Sequence, residues 1–202
     1  GSTMRAPTFS APACTSVEED DRALVERFRQ GDREAFAELV VRYQGPVYNA
    51  AFWVVRRAED ASDVSQTAFL KAAERIDDYD PRFKFFSWLY RIALNEALNL
   101  VRDRGREEEL DEATDLPAPV ADGPEERLHA AQRSARLQAA LMKLSTRDRV
   151  VVSLRHFSEL SYAEIADVLD VDEKTVKSRL FEARQRLRVL LGDTEGTPHA
   201  LH

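Results

Sequence analysis

Lys174, Lys177, Arg179, Arg184, Arg186 and Arg188 fall within sixteen residues that hold only two acids, Glu173 and Glu182, in a chain of formal net charge −7. An acidic protein that gathers positive charge on one segment is equipped to hold a polyanion, and nucleic-acid phosphate is the commonest one. Arg186 and Arg188 have an ordinary explanation, because cations near a helix C-terminus complement the macrodipole. Lys174, Lys177 and Arg179 sit in the first turns, where the same dipole disfavours them, so they answer to an outside partner. Lys174, Thr175, Lys177, Ser178, Arg179, Phe181 and Arg184 are therefore expected to face a major groove and its flanking phosphates.

The surrounding pattern is a helical corner that would present that face. Ser161-Tyr-Ala-Glu164 is a capping box opening a short helix whose Ile165, Ala166 and Leu169 point inward. Asp170-Val171-Asp172 turns the chain and Asp172 caps the next helix, which runs from about residue 173 to 191. Together they read as a helix-turn-helix. One such helix gives weak specificity, so a second nucleic-acid contact is expected upstream. Tyr79, Phe83, Phe85, Phe86 and Trp88 crowd ten residues among Arg82, Lys84 and Arg91. Flat rings beside cations suit unstacked bases. Phe86 and Trp88 read as core, whereas Tyr79, Phe83 and Phe85 lie in or beside a loop and read as freer. Asn95 and Asn99 share a helix face with Arg91 and Arg102, and asparagine pairs well with base edges.

Apolar spacing supplies the scaffold. With 202 residues, 44% of them apolar, the chain has room for one large or two small domains, and 7 glycines fit a largely helical one. Residues 1–19 read as a disordered leader. Leu24, Val25 and Phe28 make a short helix that Gly31 stops. Asp32 caps a long helix carrying Leu39, Tyr43, Val47 and Val54, which Gly45-Pro46 should kink without ending. A third helix opens near Asp60, residues 77–82 form a loop, and a fourth helix spans about 85–102. From 104 to 124 apolar residues are sparse, and Glu107, Glu108, Glu109, Asp111, Glu112, Asp115 and Asp122 dominate. That stretch reads as a flexible acidic linker. Helical rhythm resumes near 125, and Ser145 caps a further helix. The fold class is all-α: two small helical domains, 20–103 and 125–192, joined by the linker, the C-terminal one a helix-turn-helix, with a tail at 193–202.

Catalysis finds little footing. Glu59, Asp60 and Asp63 lie together, but no histidine joins them: His129, His156, His199 and His202 are scattered. No nucleophile–base pair or glycine-rich phosphate loop appears, so neither an enzyme, a cofactor nor a metal site is expected. A single cysteine, Cys14, excludes disulfides within the chain. No run approaches the roughly 18 apolar residues of a membrane span, and no secretory signal is seen, so a cytoplasmic protein is expected.

Three segments together resemble a family. Asp60-Ala-Ser-Asp63-Val-Ser-Gln66-Thr-Ala-Phe69, Phe85-Phe-Ser-Trp-Leu-Tyr-Arg-Ile-Ala-Leu-Asn95, and Leu160-Ser-Tyr-Ala-Glu-Ile-Ala followed by Thr175-Val-Lys-Ser-Arg-Leu-Phe-Glu-Ala-Arg184 resemble the extracytoplasmic-function sigma factors of bacterial RNA polymerase. The likeness runs over about residues 20–192. It implies that Asp60, Asp63, Gln66 and Thr67 dock on the clamp helices of the polymerase β′ subunit, with the second domain at the β flap. It implies that Tyr79, Arg82, Phe83, Lys84, Phe85, Asn95 and Asn99 melt and read the minus-10 element of promoter DNA. Lys174, Thr175, Lys177, Ser178, Arg179, Phe181 and Arg184 match the minus-35 reader, and the linker matches the segment threading the active-site path. An anti-sigma factor is a common partner in such a family.

The departures are specific. Thr67 stands where the family usually has an acid, and Ser62 and Ser65 also replace acidic or apolar residues. Fewer charges weaken docking on a basic surface; phosphorylation of Ser62 or Thr67 by a Ser/Thr kinase would restore them, each phosphate adding about −1.5 to −2. Tolerated variation explains the same residues. Asp170 stands where glycine is common, which an Asp at positive φ tolerates, and Glu182 replaces a frequent base. The alternative to the whole reading is a stand-alone helix-turn-helix transcription regulator. It accounts for the C-terminal corner and for nothing upstream.

Overall fold

A computed structural model of the chain describes residues 15–105 and 124–192. Regular structure among the described residues is helical. The first module holds α1 (Thr15–Arg29), α2 (Arg33–Val55), α3 (Ala58–Glu74), one 3-10 turn (Ile76–Asp78) and α4 (Phe85–Gly105). The second holds α5 (Pro124–Lys143), α6 (Thr146–His156), α7 (Tyr162–Leu169) and α8 (Glu173–Leu190).

The helix ends are set by local chemistry. Gly31, at φ +100°, closes α1, and the Asp32 carboxylate accepts the Glu34 N–H at 3.1 Å to open α2. α2 passes through Pro46 unbroken and ends at Arg56 in the left-handed region, φ 63°. Ser145 and Asp172 cap α6 and α8 by accepting from Asp148 and Thr175 N–H. Both halves of the Ser161–Glu164 capping box form. Asp170 follows at φ 54°, its N–H bonded to Ala166 O.

α2, α3 and α4 pack on one another around Leu39, Val47, Val54, Ala68, Leu89 and Ala93, with α1 laid against α2. α1 is pinned by buried Asp21, which accepts from Arg42 at 2.5 Å and from the Tyr43 hydroxyl. Burial raises the Asp21 carboxyl above its ordinary range, and the bonds from Tyr43 and Arg42 only partly oppose this. In the second module Val176, Leu180, Ala183 and Leu187 face inward, and α8 packs on α5, α6 and α7.

Four sequence expectations shift. Residues 15–19 of the expected leader belong to α1, whose first turn carries the acid Glu18, as suits a helix N-terminus. α4 runs to Gly105 and α5 starts at Pro124, so only 106–123 of the expected linker, with the tail at 193–202, lie outside the described residues. The two modules are also packed together: α6 lies on the end of α2 and α7 along α4. α4 is consequently covered from two sides, and Phe85, Tyr90 and Leu94 are buried on it besides Leu89, Ala93 and Ala97. Phe86, expected inside, is half-buried, as is Leu100.

Replacing the cap of α7 tests how much the corner depends on it. Ser161→Ala is expected to lower unfolding free energy by about 1 kcal/mol, the usual cost of a lost serine cap. An unchanged denaturant midpoint would contradict that.

Candidate nucleic-acid interface

The helix-turn-helix gives α8 one buried and one open face. Lys174, Lys177, Ser178 and Phe181 are exposed, while Thr175, Arg179 and Arg184 are half-buried. Phe181 keeps 62% of its surface in water, an unusual position for a ring with no structural need to be there. Among the described residues, none of Lys174, Lys177, Arg179 and Arg184 has a carboxylate within ion-pair distance. Lys177 Nζ lies 5.8 Å from the Tyr162 ring centre, and the Arg155 guanidinium lies 5.1 Å from it. Arg179 Nε is buried without a hydrogen-bond partner among the described residues, and burial, with Arg147 nearby, lowers its pKa. Arg186 differs: it bonds buried Asp148 at 2.6 Å and lies 3.7 Å from Glu182. The face that lacks internal counter-charge is the one the sequence singled out, and Arg186 is a fold residue.

Arg184 is held by a residue that the sequence reading passed over. Its guanidinium reaches His156 Nε2 at 3.3–3.4 Å. His156 ends α6, and its pKa is lowered by partial burial, then by Arg184 and Arg155. The neutral ring can accept from Arg184, whereas a protonated one would repel it.

The aromatic cluster of the first module is less open than expected. Tyr79 and Phe85 are buried, each 2% exposed. The Tyr79 hydroxyl donates to Phe83 O at 2.6 Å, and its ring meets Phe85 and Trp88 at 5.6 and 5.5 Å. Arg29 explains the inward fold of the loop, donating to Ile76 O and Tyr79 O at 2.9 and 2.8 Å. Tyr79 and Phe85 therefore build the loop's floor and do not offer free ring faces. Phe86 and Trp88, read as core, are half-buried against it. Phe83 is the loop aromatic that projects, at 53% exposure. Arg82 is exposed and paired with Asp80, whose carboxyl Arg82 holds below its usual range. Lys84 contacts Glu18 at 2.9 Å and Glu164 of α7 at 3.8 Å. Asn95 and Asn99 are exposed on α4, and Asn99 Oδ1 accepts from Arg102 at 2.7 Å.

α3 carries the third surface. Asp63 and Gln66 are exposed and Ser62 and Thr67 half-buried. Asp60 is largely covered by an ion pair with Arg104, so it is less available than the resemblance implied. Ser65 is buried. Leu70, one turn beyond Gln66, is 66% exposed. It was legible as an apolar residue out of phase with buried Val64, Ala68 and Ala72. Among the described residues no group of three His, Cys, Asp or Glu side chains could hold a metal ion, and no helix is long and apolar enough to cross a membrane.

Residues 39–107 match the model of sigma-70 region 2, and residues 134–187 match that of sigma-70 region 4. The chain is 33% identical over 178 residues to the ECF RNA polymerase sigma factor SigW of Bacillus subtilis, covering 84% of this chain and 95% of the relative. It is 34% identical to the ECF RNA polymerase sigma-E factor of Escherichia coli K12, covering 83% and 92%. CnrH, solved in complex with the cytosolic domain of CnrY, superposes with a TM-score of 0.63 at 30% identity, covering 87% of this chain and 99% of that one. The fold also matches that of RpoE from Bartonella quintana, solved with the anti-sigma factor NepR, at TM-score 0.66 and 24% identity, covering 79% and 98%. The region 2 match accounts for the upstream half that a stand-alone helix-turn-helix regulator leaves unexplained.

The His156–Arg184 contact makes a spectroscopic prediction. In the full chain His156 should titrate below 6.5, and Arg184→Gln should move its NMR midpoint part of the way back. A depressed folded-state pKa contributes stability above 6.5 that is lost as pH falls, because the unfolded chain then binds the extra proton. A midpoint at or above 6.5, unmoved by Arg184→Gln, would contradict the assignment.

Proposed function

This chain belongs to the extracytoplasmic-function sigma factors of the sigma-70 family, and on that premise we propose that it directs core RNA polymerase to promoters by reading two DNA elements without catalysing a reaction itself. The observation that carries the reading is the open face of α8. It gathers cations that have no carboxylate within ion-pair distance among the described residues, in a protein whose overall charge is −7. Lys174, Lys177 and Arg179 hold phosphates of the minus-35 element, while Thr175, Ser178, Phe181 and Arg184 meet its base edges.

The first module reads the minus-10 element. Phe83 projects from the loop to stack on an unstacked base, and Arg82 and Lys84 meet the backbone. Asn95 and Asn99 face base edges, and Tyr79 and Phe85 shape the loop from beneath. Docking on the β′ clamp helices falls to Asp63, Gln66 and Leu70, with Asp60 and Thr67 at the margin, and the second module meets the β flap. Each reader alone binds weakly; holding both on one polymerase makes the second contact intramolecular and raises the joint affinity. The chain works in the cytoplasm, where polymerase and DNA are. Control comes from an anti-sigma factor that covers these faces, or from phosphorylation of Ser62 or Thr67 beside Asp63 on α3.

Run-off transcription with purified core polymerase on a randomised promoter library tests the reading. Initiation should depend on the chain and select two spaced motifs; no selected motif would refute it. Arg184→Ala should cut initiation on the order of tenfold and relax preference within the upstream motif, as losing a base contact does. Lys177→Ala should weaken all sequences alike and flatten the salt dependence. Thr67→Glu should tighten core-polymerase binding, and an unchanged affinity would remove phosphorylation at that position from the account.

A further inference from the structure

Of the side chains assigned above to the minus-35 base edges, Arg184 alone carries a charge. A guanidinium on a long flexible stem tells bases apart only when its plane is fixed, because two-point pairing with guanine needs two N–H groups in register. The support for such a side chain has to come from its neighbours. Here it comes from His156. Nε2 of the imidazole meets the side edge of the guanidinium, Nε at 3.4 Å and Nη2 at 3.3 Å. That leaves the end edge, Nη1 with the second N–H of Nη2, for an outside acceptor. His156 is the last residue of α6, so it braces the reading side chain from outside α8. The ring is exposed and fills no place in the core.

Nε2 accepts only while the ring is neutral and carries its proton on Nδ1. The surroundings favour that state. α8 brings Arg184 to the ring and α6 brings Arg155, both cationic, and among the described residues no carboxylate acts on it. Arg155 is engaged elsewhere, donating to Leu160 O at 2.9 Å and lying over the Tyr162 ring of α7. α2 reaches this end of α6 through Trp53, stacked on Phe157. The C-terminal dipole of α6 by itself favours an imidazolium. Partial burial and the two guanidiniums outweigh it and hold the ring below 6.5.

We infer that His156 is a positioning residue for minus-35 discrimination: its neutral imidazole fixes the Arg184 guanidinium, and protonation releases it. The inference rests on the reading of Arg184 as a base contact. A proton on Nε2 removes the acceptor and sets a second cation against Arg184. The same proton adds positive charge beside the DNA face. Acid therefore acts in two directions at once. Preference at the base pair that Arg184 meets falls, while sequence-independent attraction to phosphate does not. What changes with pH is the choice among promoters.

The test uses holoenzyme and two promoters that differ at one minus-35 base pair, the pair at which Arg184→Ala alters preference most. Competition between them in one mixture gives a ratio from which general effects of pH on polymerase cancel. Wild type should discriminate about tenfold with the ring neutral, and His156→Ala should lower the ratio about fivefold. His156→Gln, whose amide oxygen accepts without titrating, should restore most of it. As pH falls through the His156 midpoint measured by NMR, the wild-type ratio should drop toward that of His156→Ala, while the His156→Gln ratio stays level. In an Arg184→Ala background His156→Ala should add little. A His156→Ala ratio equal to wild type, or a His156→Gln ratio that falls with pH as wild type does, overturns the inference. If Arg184→Ala alters preference nowhere, the base-contact reading fails and the inference falls with it, which separates the two failures. Nitrogen-15 NMR of the full chain checks the contact without DNA or polymerase. The neutral ring should hold its proton on Nδ1, and a proton on Nε2 overturns the brace.

Discussion

Charge segregation is the constraint on which the rest of the structure depends. Acids outnumber bases by 36 to 29 in this chain, yet among the described residues Lys174, Lys177, Arg179 and Arg184 have no carboxylate within ion-pair distance. The acids that α8 itself carries are Glu173 in its first turn and Glu182, which lies 3.7 Å from Arg186. A cationic face left without internal counter-ions is unfavourable for an isolated protein. It becomes an asset only when a polyanion arrives, which is the physical content of a DNA-reading surface.

That face is presented by a chain of local devices. The Ser161–Glu164 box opens α7, Asp170 turns the corner at positive φ, and Asp172 caps α8. Asp148 then anchors the far end of α8 through Arg186. The first module works differently. Its loop is drawn inward by Arg29, so buried Tyr79 and Phe85 give Phe83 a firm base from which to project. A projecting ring on a stiff floor loses little freedom on binding, which favours stacking on a base.

Much of this was legible in the sequence, because it is written in nearest neighbours. Caps at Asp32, Ser145, Ser161 and Asp172 follow from residue type and spacing over three positions, and the apolar period located the helices after α1 to within a few residues, while α1 begins inside the stretch read as a leader. The misreadings concern partners distant in the chain. Tyr79 looked free because a loop position was taken for an exposed one, and nothing local reveals that Arg29 would fold the loop back. Asp60 looked available because Arg104, which covers it, is forty-four residues away. Arg149 of α6, which donates to Trp53 O of α2, is ninety-six residues from it. Periodicity assigns a residue to a face; it does not say which other element that face will meet. The packing of one module on the other therefore became visible only in three dimensions.

A footprint on a selected promoter, taken with and without core polymerase, tests the central claim most directly. The account predicts protection of two spaced elements when chain and core polymerase are together, and no such two-element protection by the chain alone. Protection of both elements by the chain without polymerase would contradict it.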